Sequence, residues 1–334
     1  MNSTPLQLND SATDLLVRPR LSEVVSCPTE KGFDSFAVVN SNVRAMESVM
    51  RFASGHHTMV AIIGPSGWGK SHLLEAAAAT IRAESFHTCH VLTAVDWIGN
   101  LRSRNPNGPL ILDNVQDVIQ KHRSRVTFEM ALERRVRAGK PTLLSFTETK
   151  LTRSIRSTLR GTNEWMVATI KAPAGKERLK VVERMAVSEG LGISSTLAKI
   201  LANRVQGNGR TLSGALKRLK LHDSQWKGSH STLRALGILN LFLASNSDWD
   251  LREHIAECAK SLPSDKRAEA VPFDLALHTM LRVALLSEAE VAKFFRIEPA
   301  KAYSYSCRFS QKMAASDAVN QVADEFVHRV VATL

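Results

Sequence analysis

Short apolar runs alternate with helical patterns through the first half of the chain. Four runs have the length and the apolar or β-branched character of buried strands, at residues 59–63, 90–93, 110–112 and 142–147. Between them, residues 71–79 are strong helix formers, and residues 126–138 place apolar side chains at helical spacing. Strands that alternate with helices are typical of a parallel α/β sheet, which is the fold class that the pattern predicts here.

The pattern changes near residue 174, after which it predicts helices alone. The candidate helices are residues 175–188, 194–206, 210–221, 231–244, 250–260, 272–285, 287–295, 299–313 and 316–333. A second break lies near 222–230, where Asp223, Gly228 and Ser229 interrupt the apolar spacing. We therefore predict four segments: a polar, mobile leader at 1–31, an α/β domain at 32–174, a helical lid at 175–222 and an all-α domain at 230–334.

A glycine-rich motif connects the first strand to the helix that follows it. Residues 64–71 read G-x-x-x-x-G-K-S, the P-loop pattern, between a buried strand and a strong helix former. Glycines let successive backbone N–H groups face one anion, and the helix N-terminus adds a partial positive charge. A chance glycine-rich turn is the alternative, and the flanking strand and helix argue against it. The predicted nucleotide-binding residues are Gly64, Pro65, Ser66, Gly67, Trp68, Gly69, Lys70 and Ser71, and the expected cofactors are ATP or GTP with Mg²⁺.

The roles within this motif follow from its chemistry. Lys70 would reach the β- and γ-phosphates, and the Ser71 hydroxyl would ligate Mg²⁺. A carboxylate at the end of a neighbouring strand is also needed to hold the metal, and Asp113 ends the run at 110–112. The next residue, Asn114, can orient a water molecule but cannot accept its proton. We therefore predict weak hydrolysis, with ATP acting mainly as a conformational ligand.

Four further positions could complete this site. Thr147 follows the fourth strand and could sense the γ-phosphate, although ordinary loop polarity accounts for it equally well. Arg156 and Arg160 are candidates for an arginine finger that reaches a neighbouring subunit, with a solvated basic face as the slightly favoured alternative. Arg210 begins a helix in the lid and could fold back onto the phosphates.

The composition of the chain indicates which class of partner it binds and which cellular compartment it occupies. The chain has 334 residues and a formal net charge of +12, which favours a polyanionic partner, nucleic acid first, over a protein with a merely scattered positive surface. Its four cysteines lack metal-ligand spacing and are typical of reduced thiols in a cytoplasmic protein. No apolar run is long enough to span a bilayer.

Six segments, in order along residues 32–221, make the chain similar to the DnaA family of AAA+ replication initiators. They are the residues 32–45 before the P-loop, the P-loop with 72–74, the Asp113 segment at 112–116, residues 128–140, Glu164-Trp165, and Arg210 with 212–216. The resemblance implies an AAA+ module whose Arg210 is the second sensor, other AAA+ subunits as partners, and action in initiation of chromosomal or replicon DNA replication.

Two departures from the family pattern leave rival functions open. The stretch between Thr93 and Leu110 is short where full initiators carry an inserted helix pair for single-stranded DNA, which puts origin melting in doubt. Together with the Asp113-Asn114 pair, this resembles the DnaA-related regulator Hda. The alternatives are therefore a regulator that acts on the initiator by AAA+ contact without sequence-specific DNA binding, or a helicase-loader-type ATPase.

The last hundred residues resemble the DNA-binding domain of the same family. Ser287 and Glu290 have the spacing of a capping box, and Pro299 can occupy the first turn of a second helix, so the segment predicts a helix-turn-helix. The family's Gly-Arg-Asp-His-Thr-Thr signature is missing, which puts recognition of the usual initiator site in doubt. A helical bundle with Tyr303 and Phe309 in its core is the alternative. The residues predicted to contact double-stranded DNA are Lys301, Tyr303, Ser304, Tyr305 and Arg308.

Overall fold

The computed structural model describes residues 32–84, 89–101, 108–159, 165–243 and 249–334. The leader predicted at 1–31 therefore lies outside the described residues. Within the described ranges, no helix is long and apolar enough to cross a membrane.

Five strands form one parallel sheet at the start of the described chain. They are β1 (Met59–Gly64), β2 (Val91–Thr93), β3 (Leu110–Asp113), β4 (Thr142–Thr147) and β5 (Met166–Thr169), in the order β2-β3-β4-β1-β5. The predicted parallel α/β class is confirmed. The edge strand β5 was not predicted, although residues 165–170 read W-M-V-A-T-I, an apolar and β-branched run of strand length.

Helices cover both faces of this sheet. They are α1 (Val43–Ala53), α2 (Lys70–Glu84), α3 (Ala94–Gly99), α4 (Gln116–Ile119), α5 (His122–Arg137) and α6 (Arg153–Thr158). Val60 and Ile62 of β1 pack with α1 and α2 on one face, whereas Ala61 and Ile63 pack with α3, α4 and α5 on the other. Alternate side chains of a strand point to opposite faces, so a strand buried on both sides must be apolar throughout, as β1 is.

The second half of the described chain is helical except for one small sheet. Its helices are α7 (Gly175–Ser188), α8 (Ser195–Arg204), α9 (Gly209–Lys220), α10 (Ser229–Ile238), α11 (Asn240–Leu243), α12 (Leu251–Lys260), α13 (Ser264–Glu269), α14 (Pro272–His278), α15 (Glu288–Phe295), α16 (Pro299–Ala315) and α17 (Asp317–Ala332). One π-helical turn, Thr279–Val283, follows α14 inside the single helix expected at 272–285.

The expectation of helices alone after residue 174 was wrong. Strands β6 (Gly192–Ile193) and β7 (Gln225–Trp226) pair in parallel between the lid helices. Two residues are too few to give a periodic pattern, so the sequence carries no strand signal there. Trp226 fixes this connection, since its side chain is only 2 % exposed and its indole Nε1 donates to the carbonyl of Asp223 at 3.0 Å.

A single apolar core runs from the lid helices to the last helix. It extends from Val182 in α7 to Val331 in α17 and includes Trp226 between them. Helix α10 packs closely against the segment after the π-helical turn within this core, because a methyl group on Gly237 would collide with the carbonyl of Ala284. The boundary proposed near 222–230 thus lies within a shared core, and whether the two sides fold separately stays a prediction.

The helix-turn-helix geometry is present near the C-terminus. Ser287 and Glu290 form the expected capping box at the start of α15, and Pro299 occupies the first turn of α16. Arg296 ends α15 in a left-handed conformation with φ of 55°, which turns the chain toward α16. Helix α16 then packs against α14 and α15, with Ala302, Ser306 and Phe309 as its buried residues.

Candidate functional site

The P-loop lies between the end of β1 and the start of α2. Gly67 and Gly69 have φ of 80° and 94°, a left-handed conformation that side chains other than glycine rarely adopt. The Lys70 Nζ donates to the carbonyls of Gly64 at 2.8 Å and Pro65 at 2.9 Å, and the residue is only 5 % exposed. The loop therefore folds around Lys70, and two of its own carbonyls hold the ammonium.

Burial changes the acid–base behaviour of this lysine. Desolvation lowers the pKa of Lys70 to about 8, while the nearby Asp113 carboxylate opposes the shift and the Arg210 guanidinium adds to it. The influence of Arg210 means that the start of α9 is close enough to act electrostatically on the P-loop. Lys70, Asp113 and Arg210 thus form one electrostatic site, contributed by three separate elements.

Asp113 is held by three hydrogen bonds from three directions. The Ser71 Oγ donates to Asp113 Oδ2 at 2.6 Å, which joins α2 to the end of β3. The Ser145 Oγ donates to Asp113 Oδ1, and the backbone N–H of Asn114 donates to the same oxygen at 2.9 Å. Sequence reasoning missed Ser145, although a serine inside the apolar strand β4 was a signal that could have found it.

The neighbouring Asn114 belongs to a network of amide and hydroxyl groups, to which the exposed Asp117 carboxylate is joined by a hydrogen bond from Gln116 Nε2 at 3.0 Å. Its backbone has φ of 55°, a left-handed conformation that asparagine tolerates better than most residues. Its Oδ1 accepts from Thr147 Oγ1 and from Gln116 Nε2, both at 3.4 Å. The Gln116 Oε1 in turn accepts from the Thr147 backbone N–H at 2.9 Å. The structure thus brings Thr147 and Asn114 together and adds Gln116, without a carboxylate at the Asn114 position.

The lid touches the P-loop directly. A methyl group added to Gly67 would collide with the Asn208 side chain, which also caps α9 by accepting from the backbone N–H of Arg210 at 3.0 Å. The Arg178 guanidinium of α7 lies 5.4 Å from the centre of the Trp68 ring, within cation–π range. Trp68 is therefore a lid contact as well as a P-loop residue, and Arg210 is presented at the exposed start of α9.

The two arginine-finger candidates have different outcomes. Arg156 is exposed on α6, and no ion pair joins it to another residue in the described part of the chain. Arg160 lies outside the described residues, as does Glu164 of the segment that led to it. The assignment of a finger stays a prediction.

The five residues predicted to contact DNA occupy different surroundings on α16. Lys301, Ser304 and Arg308 are exposed, and Lys301 pairs with Glu298 at 3.4 Å. Tyr303 is 46 % exposed and faces the Arg282 guanidinium 5.0 Å from its ring centre. Tyr305 is partly buried against Phe273, with ring centres 5.5 Å apart, and carries the Arg308 guanidinium over its outer face at 4.5 Å.

Comparison with known proteins gives one consistent result. No protein-family model matches the chain. It is 26 % identical over 286 residues to the chromosomal replication initiator protein DnaA of Caldanaerobacter subterraneus subsp. tengcongensis and 25 % identical over 285 residues to that of Thermoanaerobacter pseudethanolicus. The chain is similar to DnaA. Each match covers 80 % of this chain, which spans 57 % of the length of these curated relatives.

The fold supports the same resemblance. The crystal structure of domain III from the Thermotoga maritima replication initiation protein DnaA aligns with a TM-score of 0.53 and 18 % identity. This alignment covers 65 % of the present chain and 98 % of the DnaA domain. The AAA+ fold class predicted from the sequence is therefore confirmed.

Proposed function

We propose that this DnaA-like chain binds ATP and DNA and acts in initiation of DNA replication or in its regulation, with ATP as a conformational switch. The observation that carries the proposal is the meeting of the P-loop with the end of β3, where Ser71 Oγ lies 2.6 Å from Asp113 Oδ2. The hydroxyl and the carboxylate supply the oxygen ligands that Mg²⁺ requires, and the buried ammonium beside them supplies the positive charge that a nucleotide's phosphates require.

The residues present fit that ligand. Backbone N–H groups of the loop around Gly67 and Gly69, with the start of α2, would hold the phosphates, and Lys70 would neutralise them. Ser71 and Asp113 would hold Mg²⁺, which supplies charge neutralisation between the phosphate oxygens when bound. Ser145 donates to Oδ1 of Asp113, which leaves Oδ2 facing Ser71.

Weak hydrolysis follows from the groups next to Asp113. Asn114, Thr147 and Gln116 can orient a water molecule through their oxygens and amide, but none of them accepts its proton at neutral pH. The nucleotide would therefore stay intact long enough to set the position of the lid. Asn208 would make that coupling direct, because its side chain packs against Gly67 of the loop. Arg210, two residues further on, is near enough to help lower the pKa of Lys70.

Nucleotide binding is tested with the full chain by titration calorimetry. Lys70→Ala should abolish Mg-ATP binding, whereas Lys176→Ala, which removes an exposed lysine from α7, should leave it unchanged. Both variants must show the melting temperature and far-UV spectrum of the unmodified chain. ATP affinity retained in Lys70→Ala would overturn the P-loop assignment.

DNA binding is tested separately, by anisotropy on double-stranded DNA with and without Mg-ATP. Arg308→Ala should weaken binding and lower the salt dependence by about one phosphate contact. Arg137→Ala is the matched control, because that arginine is exposed in the α/β module and pairs with Glu133 at 2.6 Å. A chain that binds a DnaA initiator but no DNA would support the regulator, and fast DNA-stimulated turnover would support the loader-type ATPase.

A further inference from the structure

Positive charge is unevenly distributed along the chain. Residues 175–222 carry 10 lysines and arginines against 3 aspartates and glutamates, whereas residues 230–334 carry 12 against 13. The segment with the predicted DNA-contact helix α16 is therefore close to neutral, and the lid is strongly basic. Phosphate contacts supply most of the affinity for nucleic acid and require cations, so the lid is the better-charged surface.

One face of α7 concentrates this charge. Lys176, Lys180 and Arg184 are exposed and follow each other at four-residue spacing, which places them along one side of the helix about 6 Å apart in rise. The opposite side of α7 packs Val182 and Ala186 into the shared core. Two acids, Glu177 and Glu183, border this face, but within the described ranges neither lies within ion-pair distance of the three cations.

The other basic group of the lid is already partly neutralised. Lys217 and Lys220, near the end of α9, both lie 3.9 Å from the Glu189 carboxylate. They are exposed, as the α7 cations are. They therefore offer a pair of charges in the same lid whose field is reduced by an acid.

We propose that the face of α7 formed by Lys176, Lys180 and Arg184 binds the phosphate backbone of a nucleic acid. This face would act as a second contact beside α16, and the proposal rests on nucleic-acid binding being part of the function proposed above. Three cations in a row on a rigid, core-anchored helix need little reordering to meet successive phosphates. Val187, which is 64 % exposed at the end of the same helix, adds an apolar group that can contact a sugar or base.

The test compares two double variants of the full chain that remove the same net charge. Lys180→Gln with Arg184→Gln removes two cations from α7, and Lys217→Gln with Lys220→Gln removes two from α9. Both are titrated by anisotropy against labelled double-stranded and single-stranded DNA over a range of salt, with Mg-ATP present. Melting temperature and ATP affinity are measured first, to show that each variant is folded.

The α7 double variant should bind DNA at least tenfold more weakly at low salt, with the α9 variant close to the unmodified chain. For two lost contacts its salt slope should fall by about 1.8 with the duplex probe or about 1.4 with the single-stranded probe, and the probe whose binding weakens is the form that the face contacts. An equal loss in both variants would mean that only net charge matters, and no loss in the α7 variant would also overturn the proposal.

Two further outcomes separate this inference from its premises. If the unmodified chain binds no DNA of either kind, the DNA-binding function and this contact fall together. If it binds and Arg308→Ala weakens it while the α7 variant does not, only the α7 contact is wrong. Vesicles of phosphatidylglycerol are the last arm: an α7 variant that loses vesicle binding but keeps DNA binding would assign this face to an anionic membrane and overturn the proposal.

Discussion

Lys70 is both buried and, in the proposed function, required to carry a positive charge that holds phosphate, and burial disfavours that charge. Its burial lowers its pKa to about 8. Backbone carbonyls of Gly64 and Pro65 accept its hydrogen bonds and keep it in place. The side chain is therefore held in place, but its charge changes with pH around a value of about 8.

This sensitivity predicts the pH dependence of nucleotide binding. With a pKa of about 8 the lysine is mostly an ammonium at pH 7 and mostly a neutral amine at pH 9. Because phosphate binds the ammonium, affinity for Mg-ATP should fall about tenfold between those values, as calorimetry at pH 7, 8 and 9 would measure. Lys70→Met should bind weakly at every pH, and a flat profile for the unmodified chain would contradict the prediction.

The same shift has a defined sign for the stability of the unliganded protein. Between pH 8 and the ordinary lysine value of 10.5, the unfolded chain binds more protons at this residue than the folded chain does. Burial of Lys70 therefore destabilises the folded protein less and less as the pH rises through that window.

Asn114 offers a test of why hydrolysis should be slow. Asn114→Asp keeps the shape and tolerates the left-handed φ of 55°, and the Thr147 and Gln116 donors can serve a carboxylate oxygen equally well. The substitution supplies a proton acceptor beside Asp113. Turnover of ATP should rise at least several-fold with unchanged ATP affinity, in a steady-state assay of purified protein. Unchanged turnover would mean that a group other than this acceptor limits the reaction.

At the scale of elements, the P-loop contacts α9, which would couple the proposed nucleotide site to the lid. Gly67→Ala should destabilise the protein for two reasons, since φ is 80° and the added methyl meets Asn208. Gly139→Ala is the matched control, because φ is 60° there and nothing lies within 4 Å of the added methyl.

Denaturant unfolding should separate the two costs. We expect a loss of about 1 kcal/mol for Gly139→Ala, from backbone strain alone, and about 1–3 kcal/mol more for Gly67→Ala, together with weaker ATP binding. Adding Asn208→Ala to Gly67→Ala should recover part of the difference by removing the collision. Equal losses at the two glycines, with ATP affinity intact, would show that the lid does not rest on the loop in solution.

At the scale of the whole molecule, the lid and the later helices share one core. Arg218 Nε of α9 donates to the carbonyl of Ile238 at 3.1 Å, and the Ser194 and Thr232 hydroxyls lie 3.3 Å apart across the same junction. A lid that moves with nucleotide would therefore carry α16 with it. This arrangement would let the P-loop influence DNA contacts without a flexible linker between them.

A truncated chain tests this coupling. Residues 1–228 alone would expose the apolar side of α9 that now packs on α10, so we expect a lower melting temperature and aggregation compared with the full chain. Calorimetry of the full chain should show the lid and the C-terminal helices unfolding in one transition. A truncated chain that keeps its melting temperature would instead support independent domains on either side of 222–230.

Different parts of the fold were predictable to different degrees. The central strands β1, β3 and β4 are buried on both faces, so their apolar runs identify them from sequence. The apolar run at 165–170 marks the edge strand β5 as well, so its sequence carries a strand signal. The two-residue strands β6 and β7 are too short for a pattern and form only by pairing with a partner distant in sequence. The same reason explains Ser145, whose role appears only when β4 lies beside β3.

The sequence by itself predicted the P-loop motif, the position of Asp113 at the end of a strand, the parallel α/β class and the capping box before α15. Each of these is recognised from patterns among residues that are close together in the chain. Tertiary structure alone decided that Ser145 holds Asp113, that Asn208 and Arg178 rest against the loop, and that the lid shares a core with the last helices. Those contacts join residues tens of positions apart, and short-range spacing carries no information about which distant surfaces will be brought together when the chain buries its apolar side chains.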